Sequence, residues 1–290
     1  MTSASGIHIV VCIKQVPDSA QIRVHPVTNT IMRQGVPSII NPYDLFALEE
    51  ALRVRDGIGG EVTVLCMGPP MAQDALRKAL SYGADRAVLL TDRKFAGSDT
   101  LATSHALAFA IGTIADKWGA PTLVFTGKQT IDGDTAQVGP GIAKRLNFQP
   151  LTYVSRIRNI DLGTGRIEVE RRSEGGVQVL STTLPALVTV MDGVNEIRRG
   201  SLPDLLRASR TEIHVWSAAD AGLEDLSKCG LAGSPTVVKK VFAPTARAEK
   251  AHQITVEGRS HRDVAEDLLR EIFAKIPDLE LLTTTSGPRA

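Results

Sequence analysis

Short apolar runs alternate along the chain with longer stretches in which apolar residues recur every three or four positions. Ile7-His8-Ile9-Val10-Val11-Cys12-Ile13 is almost wholly apolar, as expected of a strand buried on both faces of a parallel sheet. Glu61 to Met67 (EVTVLCM), Ala87 to Leu90 (AVLL) and Thr122 to Thr126 (TLVFT) read as further strands. Leu45, Leu48 and Leu52 follow Asn41-Pro42-Tyr43-Asp44 at helical spacing. Asn41 suits the N-cap, Pro42 the first helical position, and Asp44 the positive end of the helix dipole. Gly57, Gly59 and Gly60 end this helix. Met71, Ala75, Leu76, Ala79 and Leu80 predict a second apolar helical face, stopped at Gly83. Ser98 to Trp118 predicts a long, largely buried helix capped by Ser98 or Asp99. Strands alternating with helices predict an α/β fold with a doubly wound, mostly parallel sheet and right-handed crossovers.

Elsewhere the pattern is of other kinds. Lys14-Gln15-Val16-Pro17-Asp18 reads as a loop, and Gln21 to Met32 as irregular or hairpin structure around Asn29. Ser155 to Ile160 and Arg166 to Arg171, with Gly163-Thr164-Gly165 between, predict an added β-hairpin. Gln178 to Thr183 and Ala186 to Met191 predict further strands. From Asp192 the chain reads as charged and irregular, with Arg198, Arg199, Arg207 and Arg210 around Leu202-Pro203-Asp204-Leu205-Leu206. Weak periodicity beyond Glu212, with Pro235 and Pro244, predicts an extended C-terminal arm. The arm ends in a helix: Ser260-His261-Arg262-Asp263 resembles a capping box with Asp in place of Glu. Val264, Leu268, Leu269, Ile272, Phe273 and Ile276 form its apolar stripe. That stripe docks either on its own domain or on a partner subunit. The expected division is residues 1–211 as a nucleotide-binding domain and 212–290 as arm and helix.

The central polar stretch is Thr126-Gly127-Lys128-Gln129-Thr130-Ile131-Asp132-Gly133-Asp134-Thr135-Ala136-Gln137-Val138-Gly139-Pro140-Gly141, between the TLVFT strand and a helical pattern from Ile142 to Leu146. Asp134 and Thr135 are good N-cap residues. Gly127, Gly133, Gly139 and Gly141 let the backbone come close to a ligand, and a helix N-terminus favours phosphate. An ordinary βα turn with a capping Asp has the same glycine and acid content. The Asp, Thr and Gln packed around the glycines favour a nucleotide-phosphate cradle at the C-terminal end of a parallel strand. Cys12 to Gln15, Met67 to Pro70 and Gly127 to Val138 fall at such strand ends, and Asn41 can join them.

Composition narrows the classes. Of 290 residues, 43% are hydrophobic, enough for a substantial core, and Lys+Arg 33 against Asp+Glu 32 leave a net charge of +1. That balance gives no bulk attraction to nucleic acid or anionic membrane. No apolar run approaches the roughly 20 residues needed to span a bilayer. Cys12, Cys66 and Cys229 form no CxxC pair, which fits a reduced cytoplasmic setting. The six histidines form no HExxH and no cluster with cysteine, so no metal site is expected. GxGxxG, GxxxxGK[ST] and GxSxG are absent. Asp132 and Asp134 are better read as caps and ribose or backbone partners than as a catalytic pair. No catalytic residue is assigned.

Several stretches together resemble the β subunit of electron-transfer flavoproteins. They are Val10-Val11-Cys12-Ile13-Lys14-Gln15-Val16-Pro17, Asn41-Pro42-Tyr43-Asp44 with Leu48-Glu49-Glu50-Ala51, Met67-Gly68-Pro69, Tyr82-Gly83-Ala84-Asp85-Arg86-Ala87 and Gly127-Lys128-Gln129-Thr130-Ile131-Asp132-Gly133-Asp134. The resemblance runs from about Ile7 to about Arg210. It implies a nucleotide-binding α/β subunit in a heterodimer with an α subunit. In ordinary respiratory members the β subunit holds AMP; in electron-bifurcating members a second FAD takes that place. Asp132-Gly133-Asp134-Thr135-Ala136-Gln137-Val138-Gly139-Pro140 looks like the bifurcating type. Gly133 and Ala136 leave room for a diphosphate, and Thr135 offers it a hydroxyl.

Glu170-Arg171-Arg172-Ser173-Glu174-Gly175-Gly176, and the tail from Lys228-Cys229-Gly230-Leu231 to Ala243-Pro244-Thr245, resemble the nitrogen-fixation-associated (Fix) subgroup. This implies NADH oxidation, with electrons divided between a low-potential carrier (ferredoxin or flavodoxin) and quinone through a quinone-reducing partner protein. The subunit would be cytoplasmic, alongside a membrane-bound quinone-reducing partner. The cofactor contacts it implies are Cys12, Lys14, Asn41, Asp44, Met67, Gly68, Gly127, Gln129, Asp132, Gly133, Asp134, Thr135, Ala136, Gln137 and Val138. The stretch 196–210 matches the family's partner-recognition loop, with Leu202 as exposed anchor beside Arg198 and Arg199. An ATP pyrophosphatase of the related superfamily would need a pyrophosphate loop after the first strand, and Cys12 to Gln15 contains none.

Overall fold

The computed structural model describes residues 6–18, 23–24, 31–32, 37–239 and 253–279. The chain forms two compact units, residues 1–243 and 244–290.

The first unit is built on a nine-stranded sheet. In chain order the elements open with β1 (Ile7–Ile13), β2 (Gln15–Pro17), β3 (Arg23–Val24), β4 (Ile31–Met32), β5 (Ser38–Ile40) and α1 (Pro42–Ile58). They continue with β6 (Gly60–Met67), α2 (Gln73–Tyr82), β7 (Arg86–Leu90), α3 (Thr100–Trp118), β8 (Leu123–Gly127) and α4 (Val138–Leu146). Then come β9 (Gln149–Asp161), β10 (Arg166–Ser173), β11 (Gly176–Thr183), β12 (Ala186–Val190), α5 (Leu202–Arg210) and β13 (Ile213–Trp216). The strand order is β11-β10-β9-β12-β8-β1-β6-β7-β13. From β9 to β13 every pairing is parallel, and the β9–β10–β11 meander is antiparallel.

Every residue of β1 is buried. Its odd-numbered side chains, Ile7, Ile9, Val11 and Ile13, join one core with Leu48 and Leu52 of α1 and Leu76 and Leu80 of α2. Val10 and Cys12 join a second core with Leu107 and Ile111 of α3 and Ile142 of α4. Period-two alternation thus places helices on both faces of the sheet. β1 is flanked by β6 and β8. The chain leaves β1 through α1 on one face and reaches β8 through α3 on the other. The crevice between the C-terminal ends of β1 and β8 is therefore a topological switch point.

Several sequence expectations change. Gln15–Pro17 is a strand, pairing antiparallel with Ser38–Ile40. Arg23–Val24 and Ile31–Met32 pair antiparallel, as a hairpin requires; Asn29 lies outside the described residues. Met71 is exposed in a 3₁₀ turn, Pro70–Ala72, ahead of α2. The charged stretch after Asp192 contains α5. Its Ser201 hydroxyl accepts a hydrogen bond from the Asp204 N–H, and the Asp204 carboxylate accepts one from the Ser201 N–H, a capping box with Asp in the Glu position. The chain does not leave the fold at Glu212. Ile213–Trp216 pairs with β7, and Ala218, Ala221, Leu223 and Cys229 are buried in the α3–α4 core. Position 211 thus falls inside the first unit, because burying these apolar side chains outweighs the weak local periodicity.

The second unit contains α6 (His261–Lys275), whose N-cap Ser260 accepts from the Asp263 N–H. No α6 residue is buried.

Candidate functional site

The loops that leave β1 and β8 are held together from beneath by the first turn of α1. Asn41 is fully buried at the N-cap position. Its side chain makes no capping bond. Instead Asn41 Nδ2 donates to the Gln129 carbonyl at 2.9 Å, and its Oδ1 accepts from the Ile131 N–H at 3.2 Å. Asp44 is also buried, and its carboxylate takes one backbone donor from each strand end. The Lys14 N–H donates at 2.8 Å and the Gly127 N–H at 3.0 Å. Burial pushes the Asp44 carboxyl up to about 7, against the lowering effect of its hydrogen bonds. Both residues act on the loops and leave their tops free.

Above this base, Lys14 Nζ meets both oxygens of Asp132 at 2.8 and 2.7 Å. Burial alone would raise the Asp132 carboxyl; the Lys14 pair and a hydrogen bond to Thr130 outweigh it and hold it below its ordinary value. Gln129 Nε2 donates to Asp134 Oδ1 at 2.7 Å. Asp134 and Ala136 take left-handed backbone conformations, φ 52° and 55°, uncommon for residues with a side chain. Thr135 and Gln137 are exposed, and Gln137 Oε1 accepts from Thr100 Oγ1 at 2.8 Å. Among the described residues, no protein acceptor faces the N–H groups of Thr135, Ala136 or Gln137. Val138 starts α4 immediately after them. The cap is Gln137, without a side-chain bond, so neither Asp134 nor Thr135 holds the N-cap position. The arrangement can receive an anion on free N–H groups at a helix start.

The glycines divide into two kinds. A Cβ on Gly133 would meet nothing nearer than Thr130 Oγ1 at 3.5 Å, so that side of the loop is open. On Gly139 it would lie 2.8 Å from Thr189 Cγ2, on Gly141 2.7 Å from Ser104 Oγ, and on Gly127 2.5 Å from Asp44 Oδ1. Those three glycines serve the packing of helices against the sheet and against each other. Cys12 points into the α3–α4 core, where burial raises its thiol pKa. It reaches the crevice only through its backbone. Met67 is half-buried against the same core, and the Gly68 N–H donates to Leu90 O at 3.1 Å.

Sequence reasoning did not single out Lys128 and Tyr43. Lys128 Nζ lies 4.8 Å from the Tyr43 ring centre and 3.7 Å from Asp192 Oδ1. Their adjacency arises only when α1 packs beside the end of β8. A separate hollow, lined by His105, Phe109, Arg145 and Gly222, lies at the far end of α4 from this loop. Among the described residues, no group of His, Cys, Asp and Glu can hold a metal ion.

On the opposite part of α1 lies the stretch expected to recognise partners. Leu202 is 69% exposed, with Leu205 and Leu206 at 47% and 50%. Arg199 is exposed. Arg198 is bound to Glu49 and Asp56.

The family model for the electron transfer flavoprotein domain matches residues 28–221. The chain belongs to the electron transfer flavoprotein family. It is 69% identical over 273 residues to the FixA protein of Sinorhizobium fredii, covering 94% of this chain and 96% of that protein. Against the FixA protein of Azotobacter vinelandii the identity is 62%, over 94% of this chain and 97% of that one. The electron transfer flavoprotein subunit beta of Clostridium acetobutylicum is 48% identical over 233 residues, 80% of this chain and 86% of that protein. The chain is thus a Fix-type electron transfer flavoprotein β subunit, and the resemblance read from its motifs holds. Among the described residues, no helix is long and apolar enough to cross a membrane.

Proposed function

We propose that this chain carries FAD in a heterodimer with an electron-transfer flavoprotein α subunit. The complex oxidises NADH and divides its electrons between ferredoxin or flavodoxin and, through a quinone-reducing partner protein, quinone. The observation that supports this most is the Asp132–Val138 loop at the switch point. Gly133 leaves its outer side open, and free N–H groups lead into the start of α4. These N–H groups and the Thr135 hydroxyl would hold the diphosphate, with Lys14 and Asp132 bordering it. Bound FAD supplies the hydride and electron chemistry; the chain positions it and tunes its electrostatics. No acid or base side chain of this subunit is needed for the reaction. Leu202 and Arg199 serve partner recognition, and the subunit works in the cytoplasm.

AMP would fit the same loop with a single phosphate, as a structural nucleotide. Counting nucleotides in the purified heterodimer separates the two. The expected result is two FAD per heterodimer and direct flavin reduction by NADH. One FAD with one AMP, and no reduction by NADH, would place the protein in the ordinary respiratory class.

A further inference from the structure

The segment between β12 and α5 carries little secondary structure, yet it is fastened to the buried side of α1 by charge. Glu49 is only 5% exposed. Its Oε2 accepts from the Arg198 backbone N–H at 3.1 Å and from Arg198 Nε at 2.8 Å, while Oε1 accepts from Nη2 at 3.0 Å. Asp56, two turns further along α1, accepts from Arg198 Nη1 at 2.8 Å. Asn195 Nδ2 donates to Glu50 Oε2 at 2.9 Å and to the Phe46 carbonyl at 3.0 Å. On the far side of the segment, Arg207 donates to the carbonyls of Leu80 and Ala84. Arg77 of α2 donates to those of Ala208 and Thr211.

Glu49, Glu50, Asp56, Arg198, Arg207 and Arg77 thus find their partners within the fold among the described residues. What remains outward is Leu202, Leu205 and Leu206 on one face of a capped helix, flanked by Arg199 and Arg210. Neither of these arginines pairs with a carboxylate among the described residues. A fork-to-carboxylate pair supported by a backbone donor fixes both position and orientation. Removing one partner of such a buried pair leaves the other uncompensated.

We infer that Glu49 is a positioning residue for partner docking: through Arg198 it holds residues 195–206 in the form that presents the leucine face. Arg198 therefore acts inward on this latch, and Arg199 is the arginine left for the partner. The fitting partner is a redox protein with an apolar socket rimmed by carboxylates. This rests on the partner-recognition reading of the Leu202 segment. It does not depend on whether the bound nucleotide is FAD or AMP.

The test uses the purified heterodimer with Glu49→Gln, and with Asp56→Asn as a milder variant, since Asp56 is exposed and its loss leaves the core intact. Amide hydrogen exchange is followed peptide by peptide, and the quinone-reducing partner protein is titrated for binding and turnover. Glu49→Gln should speed exchange across 195–206 at least tenfold and raise the KM for the partner about fivefold. Nucleotide content, kcat and exchange in β1 and β8 should stay unchanged. Asp56→Asn should fall between it and the wild type. Unchanged exchange in 195–206 in both variants would overturn the latch. Faster exchange with an unchanged partner KM would overturn its link to docking. A heterodimer that takes no hydride from NADH would instead count against the proposed function, and exchange across 195–206 together with partner binding would still decide the latch.

Discussion

Asp44 and Gly127 lie 83 residues apart and are joined by a 3.0 Å hydrogen bond from the Gly127 N–H to Asp44 Oδ1. With the Lys14 N–H on its other oxygen, the carboxylate ties the ends of β1 and β8 to α1. Its pKa is raised to about 7, chiefly by burial.

The folded chain therefore keeps a proton that the unfolded chain, at the ordinary value near 3.8, has released. Folding takes up that proton between the two values. This group's contribution to stability falls as pH rises through the window, by at most about 1.4 kcal/mol per pH unit. Asp44→Asn removes the slope, and at every pH leaves one buried N–H with a poorer acceptor, a loss of about 1–3 kcal/mol. Denaturant titrations of both proteins at pH 5 and pH 8 measure this. A wild-type chain that gains stability relative to Asp44→Asn over that rise would contradict it.

Gly139 and Gly133 should respond oppositely to alanine. At Gly139 the new Cβ lies 2.8 Å from Thr189 Cγ2 and 2.9 Å from Thr126 Oγ1, so helix α4 must shift, at about 1–3 kcal/mol. At Gly133 no such neighbour exists, and stability should change by no more than about 0.5 kcal/mol. If the open side of the loop admits the nucleotide, the larger change Gly133→Val should lower nucleotide occupancy without unfolding the chain. Thermal melts and nucleotide analysis of the three variants check both halves. Full FAD occupancy in Gly133→Val would remove the loop from the binding site.

These two glycines also mark what the sequence could tell. Both stand in one glycine-rich stretch, and only packing separates a glycine needed by the helix from one facing open space. Strand β1 was legible because seven residues buried on both faces leave an unbroken apolar run. β13 was not, because Ile213-His214-Val215-Trp216 is four residues long with a half-buried and an exposed position inside it. Helix α5 was hidden by its charge, although Ser201 and Asp204 spell its cap. Asn41 and Asp44 were legible as a helix start but not as a clamp. Their partners Gln129, Ile131, Lys14 and Gly127 are remote in sequence and meet only once the parallel sheet has formed.

Lys14→Met should act on Asp132 more than on the fold. The pair is 45% and 37% exposed, so its contribution to stability is below about 1 kcal/mol. Asp132 has a depressed folded pKa. The stability it contributes is present above the ordinary carboxylate value and is lost as pH falls through the lower folded value. With Lys14 gone, burial is opposed only by the remaining hydrogen bonds, Thr130's among them, and the carboxyl rises. Titration of Asp132 by NMR in both proteins should show this upward move; no change would mean that Lys14 does not govern it.

The C-terminal helix supplies the last prediction. Leu268, Leu269 and Ile276 are 47%, 48% and 50% exposed, and α6 has no buried residue. An apolar stripe left open on a well-capped helix gains stability only by docking. Within the first unit one core takes in residues as far along as Ile213 and the other as far as Cys229. We therefore expect the stripe to dock on the α subunit. Truncation before Gly258 should leave the sheet unit folded, with circular dichroism reduced only by the loss of α6 and with unchanged melting of its core. Heterodimer assembly should weaken at least tenfold in the dissociation constant, measured by co-purification and sedimentation. The milder double change Leu268→Ser with Leu269→Ser should weaken assembly in the same direction while α6 keeps its Ser260 cap. Unchanged pairing in both variants would mean that α6 does not bind the α subunit.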